Sequence, residues 1–136
     1  MHTDRKATRC INYAYSAVKR KWKQRVVICE GDFMAVFYVA HAFGGKKENL
    51  ERAKKITHDL QVKDLANCYI CPLLTFSHLE YGEIGFDAEM ELCYDLLSQC
   101  DKLIVSSGLS KGVSKEVDFA NLVGMEVEWL EDTKRD

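Results

Sequence analysis

Glu116 is a carboxylate on an otherwise apolar stripe of a predicted helix. It shares the i, i+3, i+4, i+7 spacing of one helix face with Phe119, Ala120 and Val123. Because the apolar stripe should face the sheet, we expect this carboxylate to be directed inward. The helix macrodipole favours an anion near the N-terminus, so we also expect it to be ionised. Such a group is suited to act as a nucleophile or to accept a hydrogen bond from a sugar hydroxyl. The simpler alternative is a Glu that only complements the helix dipole.

Three acidic residues recur every four positions in the preceding predicted helix: Asp87, Glu91 and Asp95. This spacing is typical of a solvated helix face. The alternative is that Glu91 or Asp95 enters the site of Glu116 and acts as its acid/base partner.

Two glycine-containing segments stand where a predicted strand is followed by a helix. Gly44 and Gly45 let the backbone approach a ligand closely, with free N–H groups at the helix N-terminus. Ser110, Gly112 and Ser114 offer two hydroxyls and backbone amides that suit a phosphate. The alternatives are an ordinary turn at the glycine pair and an ordinary N-cap at Ser110.

Ring side chains near these segments are further candidates for ligand contacts. Tyr38 lies inside the first predicted strand, where core packing is the default expectation. His41 ends that strand and either faces the ligand or lies on the surface, and Phe43 precedes the glycine pair. His78 lies in a long loop that could close over a ligand.

The composition is that of a single globular domain. The sequence predicts neither a metal site nor a membrane-spanning segment. Of the 136 residues, 47% are hydrophobic and 29% charged, and the net charge of −2 gives no case for nucleic acid as a partner. The six cysteines show neither a disulfide framework nor zinc-ligand spacing, since two thiols at C-x-x-C spacing on a strand point to opposite faces. Reduced thiols are typical of a cytoplasmic protein. We also expect that the protein needs no cofactor.

Charge divides the chain near Met34. Residues 1–33 carry eight Lys/Arg against three Asp/Glu, whereas residues 34–136 carry eleven against eighteen. The first segment is interpreted as a basic arm for phosphates or as a loosely packed helix. Because residues 30–32 (EGD) can be encoded by a purine-rich, ribosome-binding run, we favour Met34 as the natural start and residues 1–33 as an upstream extension.

From Met34 onward, strand and helix patterns alternate. Apolar runs predict strands and amphipathic spacing predicts helices. Strands are predicted at about 35–40, 68–72, 102–106 and 125–129, helices at about 46–62, 86–100 and 111–123, and an irregular loop at 73–85. This order predicts an α/β three-layer sandwich, flavodoxin-like or Rossmann-like, with a mostly parallel sheet of four to five strands. Ligands bind at the carboxyl ends of such strands, where segments 40–45, 72–81 and 106–114 would meet.

Residues 34–136 resemble the nucleoside 2-deoxyribosyltransferase-like superfamily, in particular its small bacterial and phage-encoded members. The resemblance is carried by residues 37–45 (FYVAHAFGG), 48–53 (ENLERA), 96–105 (LLSQCDKLIV) and 110–116 (SKGVSKE), with Ala120 and Gly124. It implies cleavage or transfer of the N-glycosidic bond of a nucleoside or nucleoside 5′-monophosphate, with Glu116 as nucleophile. It also implies a homo-oligomer. Non-catalytic nucleotide binding or sequestration is the alternative function.

Two positions adjust what the resemblance implies. Ser110 matches the Ser with which the monophosphate hydrolases of this superfamily hold a 5′-phosphate, where the transferases tend to have Asp. Cys93, eight residues before Asp101, stands where the characterised enzymes have an acid. Either Glu91 or Asp95 substitutes for that acid, or the acid is missing.

Overall fold

The structure, a computed structural model, describes residues 34–130, so the predicted extension 1–33 and the tail 131–136 lie outside it. Within that range, strands and helices alternate almost throughout. Their bounds are β1 (Val36–Ala40), α1 (Lys47–Lys63), β2 (Cys68–Ile70), α2 (Pro72–Thr75), α3 (Phe86–Leu97), β3 (Lys102–Val105), α4 (Lys111–Leu122) and β4 (Glu126–Trp129).

The strands form one parallel sheet in the order β2-β1-β3-β4. Tyr38, in the central strand β1, lies opposite Ile70 of β2 and Leu103 of β3. The chain moves outward from β1 in one direction to β2 and in the other to β3 and β4. The predicted α/β fold with a parallel four-stranded sheet is therefore confirmed, and its topological switch point lies between β1 and β3.

The two faces of the sheet are covered by different helices. The larger core packs Tyr38 and Leu103 of the sheet against Leu97 of α3 and Phe119 of α4. On the opposite face, Val39, Cys71 and Ala53 of α1 form a smaller core. Each large apolar side chain buried in this way contributes about 1.5–3 kcal/mol relative to exposure.

Helix α4 has defined signals at both ends. Ser110 accepts a hydrogen bond from the backbone N–H of Val113 and so caps the N-terminus. At the other end Gly124 adopts a positive φ of 77°, which lets the Met125 N–H donate to Ala120 O at 2.8 Å. These two ends fix how the helix lies on the sheet and therefore where Glu116 points.

Three predicted boundaries differ from the structure by two residues or more. Strand β2 ends at Ile70 and not at residue 72. The segment predicted as an irregular loop from residue 73 begins with the short helix α2, because Pro72 is preorganised for the first position of a helix. Helix α3 ends at Leu97 and not near residue 100. A turn follows that brings Asp101 to Val36, whose N–H donates to Asp101 Oδ2 at 2.7 Å.

No helix among residues 34–130 is long and apolar enough to cross a membrane.

Candidate functional site

Parallel α/β sheets generally bind ligands in a crevice at the switch point, and here the segments after β1 and β3 leave the sheet at that point on adjacent strands. Side-chain hydroxyls of the β3 segment hold the two together. The Ala42 N–H donates to Ser107 Oγ at 2.8 Å, and Ser106 Oγ donates to Ala40 O at 2.8 Å. The predicted meeting of segments 40–45 and 106–114 is thus present.

Glu116 and Tyr38 form a buried hydrogen-bonded pair between α4 and β1. Glu116 lies on the face of α4 that packs against the sheet, and only 5% of it is exposed. Tyr38 is fully buried in β1, and its hydroxyl donates to Glu116 Oε2. The inward direction predicted for Glu116 is confirmed, and Tyr38 is both a core residue and the partner of this carboxyl.

The ionisation of Glu116 differs from the expectation. Burial raises its pKa to about 7, although hydrogen bonds from Tyr38 and Cys93 act in the opposite direction. Glu116 lies six residues after the N-cap, beyond the first turn in which the helix dipole is strong. The carboxyl is therefore divided between protonated and ionised forms near neutral pH, and is not held ionised as predicted.

Tyr38 keeps its proton at neutral pH. Burial raises its pKa well above the ordinary value, and the nearby charge of Glu116 raises it further. The phenol is therefore a lasting hydrogen-bond donor to Glu116 and cannot act as a base.

Cys93 is the third member of this cluster. It lies on α3, is half-buried, and is close enough to hydrogen-bond both Glu116 and Tyr38. Burial, followed by the charge of Glu116, raises the pKa of the thiol to about 12. Position 93, where the resemblance implies an acid, therefore does face Glu116, but its side chain is a protonated thiol.

Glu91 and Asp95 are placed differently on α3. Each is two residues from Cys93, which corresponds to about 200° around a helix. Asp95 is exposed and Glu91 half-buried. The carboxylate that shares the Cys93 side is Glu89, one turn earlier, whose charge raises the Cys93 pKa and whose Oε2 accepts from the Gly82 N–H at 3.3 Å. Sequence reasoning missed Glu89, although its i, i+4 spacing to Cys93 was visible.

The glycine pair supports a contact between two loops. Gly44 and Gly45 have φ values of 60° and 73°, which other residues rarely adopt. A Cβ on Gly45 would lie 2.8 Å from the ring of Tyr81, which also meets the Phe43 ring edge-on at 5.4 Å between centroids. Tyr81, which was not among the predicted site residues, thus joins the segment after β2 to the segment after β1, and it is 62% exposed.

The segment predicted to hold phosphate forms the start of α4. The Ser110 hydroxyl oxygen accepts from the Val113 N–H at 3.2 Å, which is the N-cap alternative, and its hydrogen remains able to donate. Gly112 faces Met90, since a Cβ there would lie 3.7 Å from the sulfur. Ser114 is half-buried in the first turn.

His41 is buried at the end of β1. Its Nδ1 lies 2.7 Å from Ala42 O, and because a carbonyl only accepts, Nδ1 carries the proton and Nε2 is an acceptor. Burial lowers the pKa of the imidazole, so it is neutral at pH 7. His78 is exposed, and its ring meets the ring of Phe76 at 6.4 Å between centroids.

Within residues 34–130, no group of three or more His, Cys, Asp or Glu side chains is arranged to hold a metal ion. Comparison of the chain with protein-family models, curated proteins and solved structures finds no match.

Proposed function

We propose that this protein cleaves the N-glycosidic bond of a nucleoside or nucleoside 5′-monophosphate, or transfers its sugar, with Glu116 as the nucleophile. The observation that carries the proposal is the buried Tyr38–Glu116 hydrogen bond, made from β1, one of the two strands that flank the switch point of a parallel sheet, where such folds generally bind ligands. The nature of the bond comes from the sequence resemblance to nucleoside 2-deoxyribosyltransferase-like proteins.

The chemistry takes two displacements. Ionised Glu116 attacks the anomeric carbon, the bond to the base nitrogen breaks, and its electron pair leaves with the base. Water, or a second base, then attacks the same carbon and releases the carboxylate. Hydrolysis yields free base and sugar, and the proton given up by the attacking water ends on the departed base. Attack by a second base yields a new nucleoside, and the proton of that second base ends on the first.

Tyr38 and the crevice segments supply the positioning. The hydrogen bond from Tyr38 fixes Oε2 of Glu116 and so orients the whole carboxyl group, including the oxygen that attacks. Gly44 and Gly45 allow close approach of the sugar, and the Ser110 hydroxyl at the start of α4 suits a 5′-phosphate. Neutral His41, with Nε2 as an acceptor, suits a sugar hydroxyl.

The test is release of free base from a panel of nucleosides and their monophosphates, followed by chromatography. Glu116→Gln keeps a similar shape but cannot form the glycosyl ester, and we expect it to lower turnover by about 1,000-fold or more. Glu126→Gln, on an exposed residue of β4, is the matched control. Equal base release by wild type and Glu116→Gln overturns the proposal.

One observation favours a second function. Cys93, the α3 residue that faces Glu116, is a thiol and not a carboxylic acid. A site that binds a nucleotide without cleaving it needs no acid at this position, so the thiol fits non-catalytic nucleotide binding. In that case the same panel shows no base release, but a bound nucleotide raises the melting temperature of the wild type.

A further inference from the structure

The groups that face Glu116 from β1 and α3 bear on how a base could leave the sugar in the proposed reaction. A neutral purine or pyrimidine base departs as an anion and is a poor leaving group, unless an acid protonates it. A base that already carries positive charge in the ring bonded to the sugar leaves as a neutral molecule. The two substrate classes therefore make different demands on the residues around Glu116.

Resting on the function proposed above, we infer that the substrate is a nucleoside or nucleotide with a cationic base, of the nicotinamide or N7-alkylated purine type. The geometry behind this inference is that Glu116 is faced by the phenol of Tyr38 and the thiol of Cys93. Glu89, the carboxylate on the same side of α3, is turned to the Gly82 N–H.

Both groups that face Glu116 hold their protons too firmly to protonate a departing base. The pKa of Cys93 is raised to about 12 and that of Tyr38 well above its ordinary value, in both cases chiefly by burial. In the inferred reaction no such proton is needed. The electron pair of the broken bond neutralises the ring, Glu116 takes the anomeric carbon, and water later releases the sugar.

The charges around the cluster also suit a cation. The carboxylates whose charge acts on Tyr38 and Cys93 are those of Glu116 and Glu89. Lys111, at the start of α4, has its ammonium group over the Phe86 ring at 4.5 Å from the centroid. A cationic ring beside Glu116 would favour the ionised carboxylate that the attack requires.

A matched pair of substrates tests this inference on the unaltered protein. 7-Methylguanosine and guanosine differ by one methyl group, which places a positive charge on the purine. Nicotinamide riboside and its mononucleotide provide the pyridinium case. We expect kcat/KM for base release to be about 100-fold or more higher for 7-methylguanosine than for guanosine, since an acid catalyst contributes about that much or more. The ratio must be corrected for the difference in uncatalysed rates.

The Cys93→Asp variant tests whether Cys93 is the reason for the preference for cationic substrates. A carboxyl here should raise turnover of guanosine and lower the corrected ratio at least tenfold, whereas Cys93→Ser should leave the ratio high. An unchanged ratio in Cys93→Asp, with the folded state verified by circular dichroism, overturns the assignment to Cys93.

The outcomes separate this inference from the proposed function. Base release that depends on Glu116 and is equal for the two guanosines overturns the inference and leaves the N-glycosidase intact. Absence of Glu116-dependent release from every substrate overturns both. A corrected preference for the cationic substrates, lost in Glu116→Gln, supports both.

Discussion

Tyr38 and Glu116 are separated by 78 positions in the chain, yet the phenol of one donates to the carboxyl of the other inside the core. One belongs to the central strand and the other to the helix that covers it. Their hydrogen bond is therefore made only when β1 and α4 are correctly packed, and it links the ionisation of Glu116 to the integrity of that packing.

Tyr38→Phe should shift the pH dependence of activity to higher pH. The hydrogen bond from Tyr38 acts to lower the pKa of Glu116, so its loss raises that pKa further above 7. Less nucleophile is then ionised at neutral pH. We expect the acidic limb of the kcat/KM profile to move to higher pH, as measured by base release between pH 5 and 9.

Tyr69→Phe is the matched control for this substitution. The hydroxyl of Tyr69 also donates to a carboxylate, Asp64 Oδ2, at 2.8 Å, but Tyr69 packs against the smaller core, on the opposite face of the sheet from Tyr38. Both variants lose a hydrogen bond from a phenol to a carboxyl group. If Tyr69→Phe moves the pH profile as far as Tyr38→Phe does, the shift has no connection with Glu116.

Glu116 should make the fold less stable as the pH rises through neutrality. Its pKa is about 7 in the folded protein and near 4.5 in the unfolded chain, so the folded state binds this proton more tightly. The resulting stability is fully present below about pH 4.5 and is lost as the pH rises through about 7. The difference corresponds to about 3 kcal/mol.

Urea unfolding of wild type and Glu116→Gln from pH 4.5 to 8.5 measures this effect, because other titrating groups cancel in the difference. We expect Glu116→Gln to gain stability relative to wild type as the pH rises. A difference in unfolding free energy that stays constant over this range would contradict the raised pKa.

Alanine at Gly44 and Gly45 should have unequal effects. Both positions have a positive φ, which costs a non-glycine residue about 1–2 kcal/mol. A Cβ on Gly44 meets nothing within 4 Å, whereas one on Gly45 would lie 2.8 Å from Tyr81. We expect Gly45→Ala to be the more destabilising in urea unfolding. Tyr81→Ala should remove that excess in a double-mutant cycle, and additive effects would argue against the contact.

Ser110 offers a way to separate helix capping from phosphate binding. Ser110→Ala removes the cap and should cost about 1 kcal/mol in unfolding free energy. Ser110→Asp retains a good cap and should stay within about 0.5 kcal/mol of wild type, but its charge repels a phosphate. We therefore expect Ser110→Asp to raise KM for a nucleoside monophosphate and not for the nucleoside. Equal KM changes for both ligands would place the phosphate elsewhere.

The order and position of the main strands and helices were predictable because each carries its own local pattern. The continuous apolar run of β1 and the apolar stripe of α4 needed no knowledge of their neighbours. The end of α3 was less predictable, since Asp101 reaches back to Val36, 65 residues earlier. Long-range hydrogen bonds of this kind leave no periodic signal in the sequence.

The candidate site shows the same division. The inward direction of Glu116 followed from helix spacing, but its raised pKa depends on burial by residues from β1 and α3. Tyr81 was missed because its contact with Gly45 depends on the path of a loop. The spacing of Glu91 and Asp95 at i, i+4 showed that they share a face, and their two-residue offset from Cys93 placed the thiol on a different one. The sequence did not show that this thiol lies within hydrogen-bonding reach of Glu116.

The buried carboxyl of Glu116 also has an evolutionary consequence. Glutamine at this position would keep a hydrogen-bond acceptor for Tyr38 and would relieve the fold of an ionisable group that weakens the attachment of α4 above neutral pH. Random mutation without selection for chemistry would therefore tend to remove the acid. Under the proposed function, its presence in this core exchanges stability above neutral pH for a nucleophile.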